Sequence, residues 1–157
     1  MSYSDLLQIG FYLLVLFLLT PVFGAYMAKV FAGEKHPLSV LGFLERSIYR
    51  VSLIDTNEAM NWKRYALSIL WFSLFGFLAT LLLQVEQHLL PLNPENLGGV
   101  PLPLAINTAM SFVTNTNWQA YGGENTLSYL TQALGLGVQN FLSAATGIAV
   151  LLALIRG

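Results

Sequence analysis

Three long apolar runs separated by polar interludes set the pattern of this chain. The first extends from Leu6 to Ala28 without a charge between Asp5 and Lys29. About 20 apolar residues of helix cross the hydrocarbon of a bilayer, so the run predicts a membrane span within residues 1–28. A signal peptide is the competing reading. The run is long for one, follows an acid rather than a basic region, and ends without a convincing cleavage site. The second run, Tyr65 to Val85, follows Trp62-Lys63-Arg64, an aromatic and basic edge of the kind found at headgroup depth. It predicts a span over 65–85. The third run is uncharged from Asn125 to Ile155. A helix over all of 124–157 rises about 1.5 Å per residue and exceeds a hydrocarbon core of about 30 Å, so it must tilt or protrude.

The charges between the runs predict an orientation. Lys29, Lys35, Arg46, Arg50, Lys63 and Arg64 lie between the first two runs, and Arg156 follows the third. Asp5, Glu86, Glu95 and Glu124 fall on the other side. Basic residues concentrate in cytoplasmic loops, which puts the N-terminus outside and residue 157 on the cytoplasmic side. Within the 29–64 loop, Leu41, Leu44, Ile48 and Val51 repeat at helical spacing, with Glu45, Arg46 and Arg50 on other faces. That pattern predicts a short interfacial helix, resting on lipid or presenting a docking surface for a partner. Asp55 and Glu58 form a capping-box-like pair ahead of the second span.

The segment between the second and third spans begins and ends beside outer acids, Glu86 and Glu124. Its prolines and paired glycines make 86–102 a turn-rich loop. Leu104 to Val113 is apolar and helix-forming, and Pro103 suits a first helical position. A helix over 103–113 covers about 16 Å, half a membrane, and the polar stretch 114–123 then returns the chain to the same side. This reads as a re-entrant loop, permitted at membrane depth only where protein or a watery cavity surrounds it. An extended backbone through "VTNTNWQAYGG" would present successive carbonyls, with side-chain oxygens from Thr114, Asn115, Thr116, Asn117 and Gln119. Carbonyl dipoles can replace an ion's hydration shell without a carboxylate that might trap it, and the C-terminal end of the short helix adds partial negative charge. From the residues alone, a cation filter and an ordinary outer loop stand level.

Composition narrows the alternatives. The chain has 157 residues, 55% hydrophobic and 10% charged, against about a quarter charged in soluble domains. The class is all-α integral membrane protein. A net charge of −1 offers nothing to nucleic acid. There are no cysteines, and His36 and His88 form no ligand motif. No phosphate-binding GxxxxGK[ST] or aspartyl-phosphate context occurs, so any ATP hydrolysis belongs to a partner. On the third span, Ala133/Gly137 and Ser143/Gly147 read as close-packing positions, while Asn140 divides evenly between packing and a pore-lining role.

"SFVTNTNWQAYGGENTLSY" at 111–129, with "VQNFLSAATGIAVLLALIR" at 138–156, "AMNWKRY" at 59–65 and "LPLNP" at 90–94, resembles the potassium-binding A chain of the Kdp-type potassium-transporting ATPase of bacteria and archaea. The resemblance implies a leading span followed by one helix–re-entrant pore loop–helix unit of the potassium-transporter superfamily. It implies a non-catalytic subunit that takes potassium from outside and passes it to the B chain (KdpB), a P-type ATPase, in a complex with C and F chains (KdpC and KdpF). Potassium is the transported ligand, with no covalent cofactor. Matching the first filter loop implies that Val113, Thr114, Asn115, Thr116 and Asn117 coordinate the ion, while Ser111, Trp118 and Gln119 support the filter or its entry. Family chains carry four such units and this sequence has one. It is therefore expected to be a fragment or gene remnant, or to assemble with loops from elsewhere. The competing functions are a homotetrameric potassium channel, or a membrane scaffold that transports nothing.

Overall fold

A computed structural model describes residues 3–55 and 59–156. The molecule is an all-α membrane protein, and it divides into two compact units, residues 1–59 and 60–157.

In the first unit, helix α1 (Tyr3–Ala32) is apolar on every face and has no buried residue. A helix hydrophobic all round is suited to lipid or to a larger protein interior rather than to water. Pro21 inside it has no N–H to donate, and next to it Thr20 turns its hydroxyl onto the Leu16 carbonyl at 2.7 Å. The helix runs past the predicted 1–28 boundary to Ala32 because Lys29 extends the last turn without breaking the helix. It ends at Gly33, whose φ of 70° lets the Glu34 amide reach the Lys29 carbonyl at 2.9 Å. A glycine in the left-handed region is the common way to close a helix end. Helix α2 (Gly42–Val51) follows a 3₁₀ turn over Pro37–Leu41. It leaves Phe43, Leu44, Ile48 and Val51 exposed, and Tyr49 donates to Glu45 at 2.7 Å one turn away.

The second unit is built on two antiparallel long helices. Helix α3 (Trp62–Val85) starts three residues before the expected 65, so Trp62, Lys63 and Arg64 form its first turn. Its cap is Asn61, whose side chain accepts from the Arg64 amide at 2.9 Å. The expected Asp55–Glu58 pair falls partly outside the described residues, which omit Glu58. Asn61 serves as the cap because its Oδ1 sits three residues before a first-turn N–H that has no carbonyl partner within the helix itself. Asn61→Ala is expected to cost about 1 kcal/mol, read as a modest fall in the thermal midpoint of the purified transporter.

The last span departs most from the uniform helix expected over 124–157. A single turn, α5 (Gly123–Thr126), is followed by an extended Leu127. Continuous helix then passes through a π-helical stretch, Thr131–Gly137, into α6 (Val138–Arg156). The portion long and apolar enough to cross a membrane is Thr131–Ile155. The break has a tertiary cause: the buried side chain of Gln87, distant in sequence, takes up the Thr126 carbonyl and the Ser128 amide, both of which a helix would need. Ser128 then caps the new helix through its hydroxyl, which accepts from the Thr131 amide at 3.3 Å.

Between these helices lies α4 (Leu102–Val113), which begins one residue before the expected 103 and places Pro103 in its first turn. It packs against both α3 and α6. The small core of this unit is Val100, Ala105, Phe112, Leu127 and Leu136.

Candidate functional site

Contacts between the two long helices give a scale for depth. The Tyr65 hydroxyl donates to the Ala149 carbonyl at 2.9 Å, the Gln139 side chain fills the space beside Gly76, and the Thr131 hydroxyl donates to the Leu83 carbonyl at 3.0 Å. Helix α4 enters at the Thr131 end, where the Val100 amide donates to the Gln84 carbonyl at 3.0 Å. Its C-terminal end meets α6 at Ser143, whose hydroxyl donates to Asn115 Oδ1 at 3.3 Å. From Thr131 to Ser143 the helix rises about 18 Å. The loop after α4 therefore sits near the midpoint of the two long helices, not at their end.

The conformation of that loop follows from how α4 stops. Asn115 has φ of 57°. Its amide donates to the Phe112 carbonyl at 3.3 Å, and the Thr116 amide donates to the Ser111 carbonyl at 2.9 Å. These are the paired bonds of a Schellman cap, with asparagine in place of the usual glycine. Asparagine tolerates the left-handed region better than other side-chain-bearing residues. Asn117 repeats the left-handed φ at 57°, and its amide also donates to Ser111 O at 3.1 Å. The extended backbone expected here is thus replaced by left-handed residues at every second position. An extended strand points successive residues to opposite faces, and the left-handed steps break that alternation.

The predicted residues fall into two groups. Val113 is the half-buried last residue of α4, and Thr114 to Asn117 are exposed on this chain. Thr114 donates its hydroxyl to the Met110 carbonyl at 2.9 Å and lies 2.9 Å from the Thr116 hydroxyl. Among the described residues, none donates a hydrogen bond to the main-chain carbonyls of Val113, Thr114, Asn115, Thr116 or Asn117. In the second group, Ser111 is the residue that bonds to the first. The Ser111 carbonyl takes three donors, the two loop amides and, at 3.3 Å, the Thr114 hydroxyl. Among the described residues, no hydrogen bond reaches the buried Tyr121 hydroxyl, so Gln119 is not tied to it. Trp118 is exposed.

Electrostatically the loop is neutral. No acid or base occurs between Ser111 and Gly123, and Glu124 is exposed at its far end. The C-terminal end of α4 meets it with a partial negative charge. Among the described residues no group of three or more His, Asp or Glu side chains converges to hold a metal. What the arrangement can offer a cation is a set of neutral oxygens, which bind by dipole alone.

In the sequence, Ser111 and, on the third span, Gln132 stand out, but not Gln84 and Gln87, which also hold this loop in place. Gln87 is completely buried. Its Nε2 donates to the Gly98 carbonyl at 2.6 Å and the Thr126 carbonyl at 2.8 Å, and its Oε1 accepts from the Ser128 amide at 2.9 Å. Gln84, also fully buried, donates to the Thr80 carbonyl at 3.0 Å and to Ala105 of α4 at 3.2 Å. Gln132 donates to the Gly123 and Leu127 carbonyls. Three glutamines thus tie the entry and exit of the loop to α3 and to the last span. The one signal in the sequence is the spacing of Gln84 and Gln87, three apart at the close of an apolar run. Of the small-residue positions on the last span, Ser143 is buried and reaches the loop, while Gly147 has open space around it. Asn140 Oδ1 is buried, with no hydrogen-bond partner among the described residues.

Comparison with known proteins agrees with this architecture. The family described as potassium-transporting ATPase A subunit (KdpA) matches residues 10–157. A potassium-transporting ATPase potassium-binding subunit of Sorangium cellulosum is 57% identical over the whole of this chain, and one of Rhodospirillum centenum is 58% identical, again over the whole chain. A protein of the same name from Clostridium botulinum (strain Eklund 17B / Type B) is 52% identical over 96% of it. The chain spans about a quarter of the length of these curated relatives, 27%, 28% and 26% respectively. With the family matched from the first span to the last residue and more than half the positions identical, the chain belongs to the family of the potassium-transporting ATPase A subunit.

Proposed function

We propose that this chain contributes a potassium-binding loop to an ATP-driven potassium importer in the plasma membrane of a bacterium or archaeon. The observation that carries the reading is the run of carbonyls from Val113 to Asn117, which accept no hydrogen bond among the described residues and lie near the middle of two membrane-length helices. Backbone carbonyls at such depth need a partner, and water, protein or an ion must supply it. A dehydrated potassium ion meets that need and takes from it a replacement for its hydration shell. Ser111 and Gln119 brace the loop, and Trp118 borders it.

One loop furnishes only part of an ion's shell, so the remaining oxygens come from further loops in the assembled transporter. Potassium enters from the side carrying Glu86, Glu95 and Glu124, which is the outside, with residue 157 in the cytoplasm. Catalysis belongs to a P-type ATPase partner, KdpB, in a complex completed by KdpC and KdpF. The relatives' name, a potassium-transporting ATPase potassium-binding subunit, supports this assignment.

The test is potassium-dependent uptake by the complete transporter in a strain lacking other potassium importers, with and without the ATPase partner. Asn115→Ala and Gln119→Ala are each expected to raise the half-saturating potassium concentration about tenfold, the equivalent of about 1.4 kcal/mol. Asn115→Gly keeps the left-handed backbone available and should lose less than Asn115→Ala. Unchanged potassium dependence in both alanine variants would remove the loop from the ion's path. Uptake that persists without ATP and partner would favour a passive channel instead.

A further inference from the structure

Helix α2 takes no part in the potassium reading, and none of its residues is buried. Its side chains sort completely by side. At about 100° of turn per residue, Phe43, Leu44, Ser47, Ile48 and Val51 share one side of the helix, and Glu45, Arg46, Tyr49 and Arg50 share the other. The one hydroxyl on the apolar side is engaged within the helix, since Ser47 donates to the Phe43 carbonyl at 2.8 Å. On the polar side Tyr49 donates to Glu45 at 2.7 Å, and Arg46 and Arg50 are exposed. Val51 is 85% exposed and Leu53, just past the helix, 92%. Leu53 takes the left-handed region at φ 54°, closing α2 as the Ile54 amide reaches the Tyr49 carbonyl at 2.9 Å. A helix as short as this is marginal in water by itself, so a surface that takes up its apolar side has to support it.

Contacts inside the first unit fix the level at which α2 begins. The rings of Tyr26, within α1, and His36 meet edge to face with centroids 5.4 Å apart. The chain therefore doubles back after Gly33 and lies along the end of α1 instead of leading away from it. The cleft that follows is lined by Val30 of α1 and Gly33 just after it, and by Gly42 and Arg46 at the start of α2. Helix α2 thus starts beside the last turn of a membrane-length helix. The uncharged run of α1 stops at Lys29, so this is the depth at which hydrocarbon gives way to headgroups. A helix with one apolar and one charged side rests at that depth with its apolar side about 5–10 Å into the boundary. We infer that α2 lies flat on the bilayer in the leaflet where α1 ends. Phe43, Leu44, Ile48 and Val51 enter the acyl region, and Arg46 and Arg50 extend toward lipid phosphates and water. The inference stands apart from the potassium reading, because it uses neither the loop after α4 nor any residue that holds it.

The experiment uses the complete transporter in vesicles of phosphatidylethanolamine and phosphatidylglycerol. This chain has no cysteine, so once any cysteines elsewhere in the transporter are replaced, a nitroxide can be placed singly. The positions are Leu44→Cys, Ile48→Cys and Val51→Cys on the apolar side, with Arg46→Cys and Tyr49→Cys for comparison. Each labelled protein must keep the thermal midpoint of its parent. Collisions with oxygen, which dissolves in lipid, are then compared with collisions with a water-soluble nickel chelate. Oxygen should dominate at 44, 48 and 51, placing those labels about 5–10 Å below the phosphates, and nickel should dominate at 46 and 49. Adding Ile48→Asp should bring the labels at 44 and 51 within reach of nickel, whereas Ile48→Leu should leave them in lipid. Equal access of nickel to all five positions overturns the proposal, because the helix then stands in water. Labels at 44, 48 and 51 shielded from both reagents overturn it as well, because protein then covers that side. A pattern unmoved by Ile48→Asp does so too, since something other than lipid would be holding the helix.

Discussion

Replacing Gln87 with leucine is expected to destabilise the second unit by about 3 kcal/mol. The buried Ser128 amide and the less buried Gly98 and Thr126 carbonyls each lose a side-chain partner. The loss is about 1–3 kcal/mol for a buried group and less for one that water can reach. Gln87 is fully buried, so water cannot simply take its place. The consequence reaches beyond stability, because Gly98 leads into α4 while Thr126 and Ser128 lead out of the loop that follows it. Releasing both ends at once lets the residues between them drift, and an ion site built from neutral dipoles depends on where those dipoles point. The expected result is a large drop in the thermal midpoint of the purified transporter. Even at temperatures where the variant is folded, the proposed potassium uptake should lose its discrimination against other alkali cations. Gln87→Glu offers no rescue. It keeps an acceptor for Ser128 but turns a carboxylate oxygen on two carbonyls, and buried charge without a partner is costly. A variant with leucine at 87 and an unchanged midpoint would show that the loop is held by other means.

The parts of the molecule legible in the sequence are those written in long apolar patterns. Leu6 to Ala28 and Tyr65 to Val85 announce membrane-length helices by the absence of charge, and a half-length helix before "VTNTNWQ" follows from the proline and the polar stretch that bracket it. Local chemistry with several outcomes was not legible. Asn115 and Asn117 could sit in extended chain or in the left-handed region, and the choice was made by two amides converging on the Ser111 carbonyl. Leu127 lies in an uncharged run that reads as continuous helix, yet its neighbours' backbone groups are taken by Gln87 from another helix, a long-range event that no local pattern records. Gln84 and Gln87 themselves look like a polar boundary at the end of a span. Only the packing reveals that both are completely buried and fully engaged as donors.

The same region contains a sharper test of how closely α4's entry is fitted to α3. Gly98 and Gly99 are adjacent and look interchangeable in sequence, but their surroundings differ. A side chain on Gly98 meets nothing within 4 Å. A Cβ on Gly99 would collide with the Val85 carbonyl oxygen and come within 3.3 Å of the carbonyl carbon and 3.6 Å of His88 Nδ1. Val85 is the last residue of α3, and the neighbouring Gln84 carbonyl holds the Val100 amide at 3.0 Å. The obstacle is therefore backbone that is itself pinned, not the end of a flexible side chain that could swing aside. Gly99→Ala is expected to cost about 3 kcal/mol, at the upper end for overpacking, and to push α4 away from α3 at its first turn. Gly98→Ala should be neutral or gain about 0.5 kcal/mol by restricting the unfolded chain. Thermal midpoints of the two variants in the complete transporter make the comparison, with half-saturating potassium as the second readout. Because α4 carries the loop at its far end, a tilt begun at Gly99 is transmitted to Asn115, and the proposed potassium site should weaken in the Gly99 variant alone. Equal behaviour of the two alanines would mean that the approach of this segment to α3 is looser than the fit of Gly99 against Val85 requires.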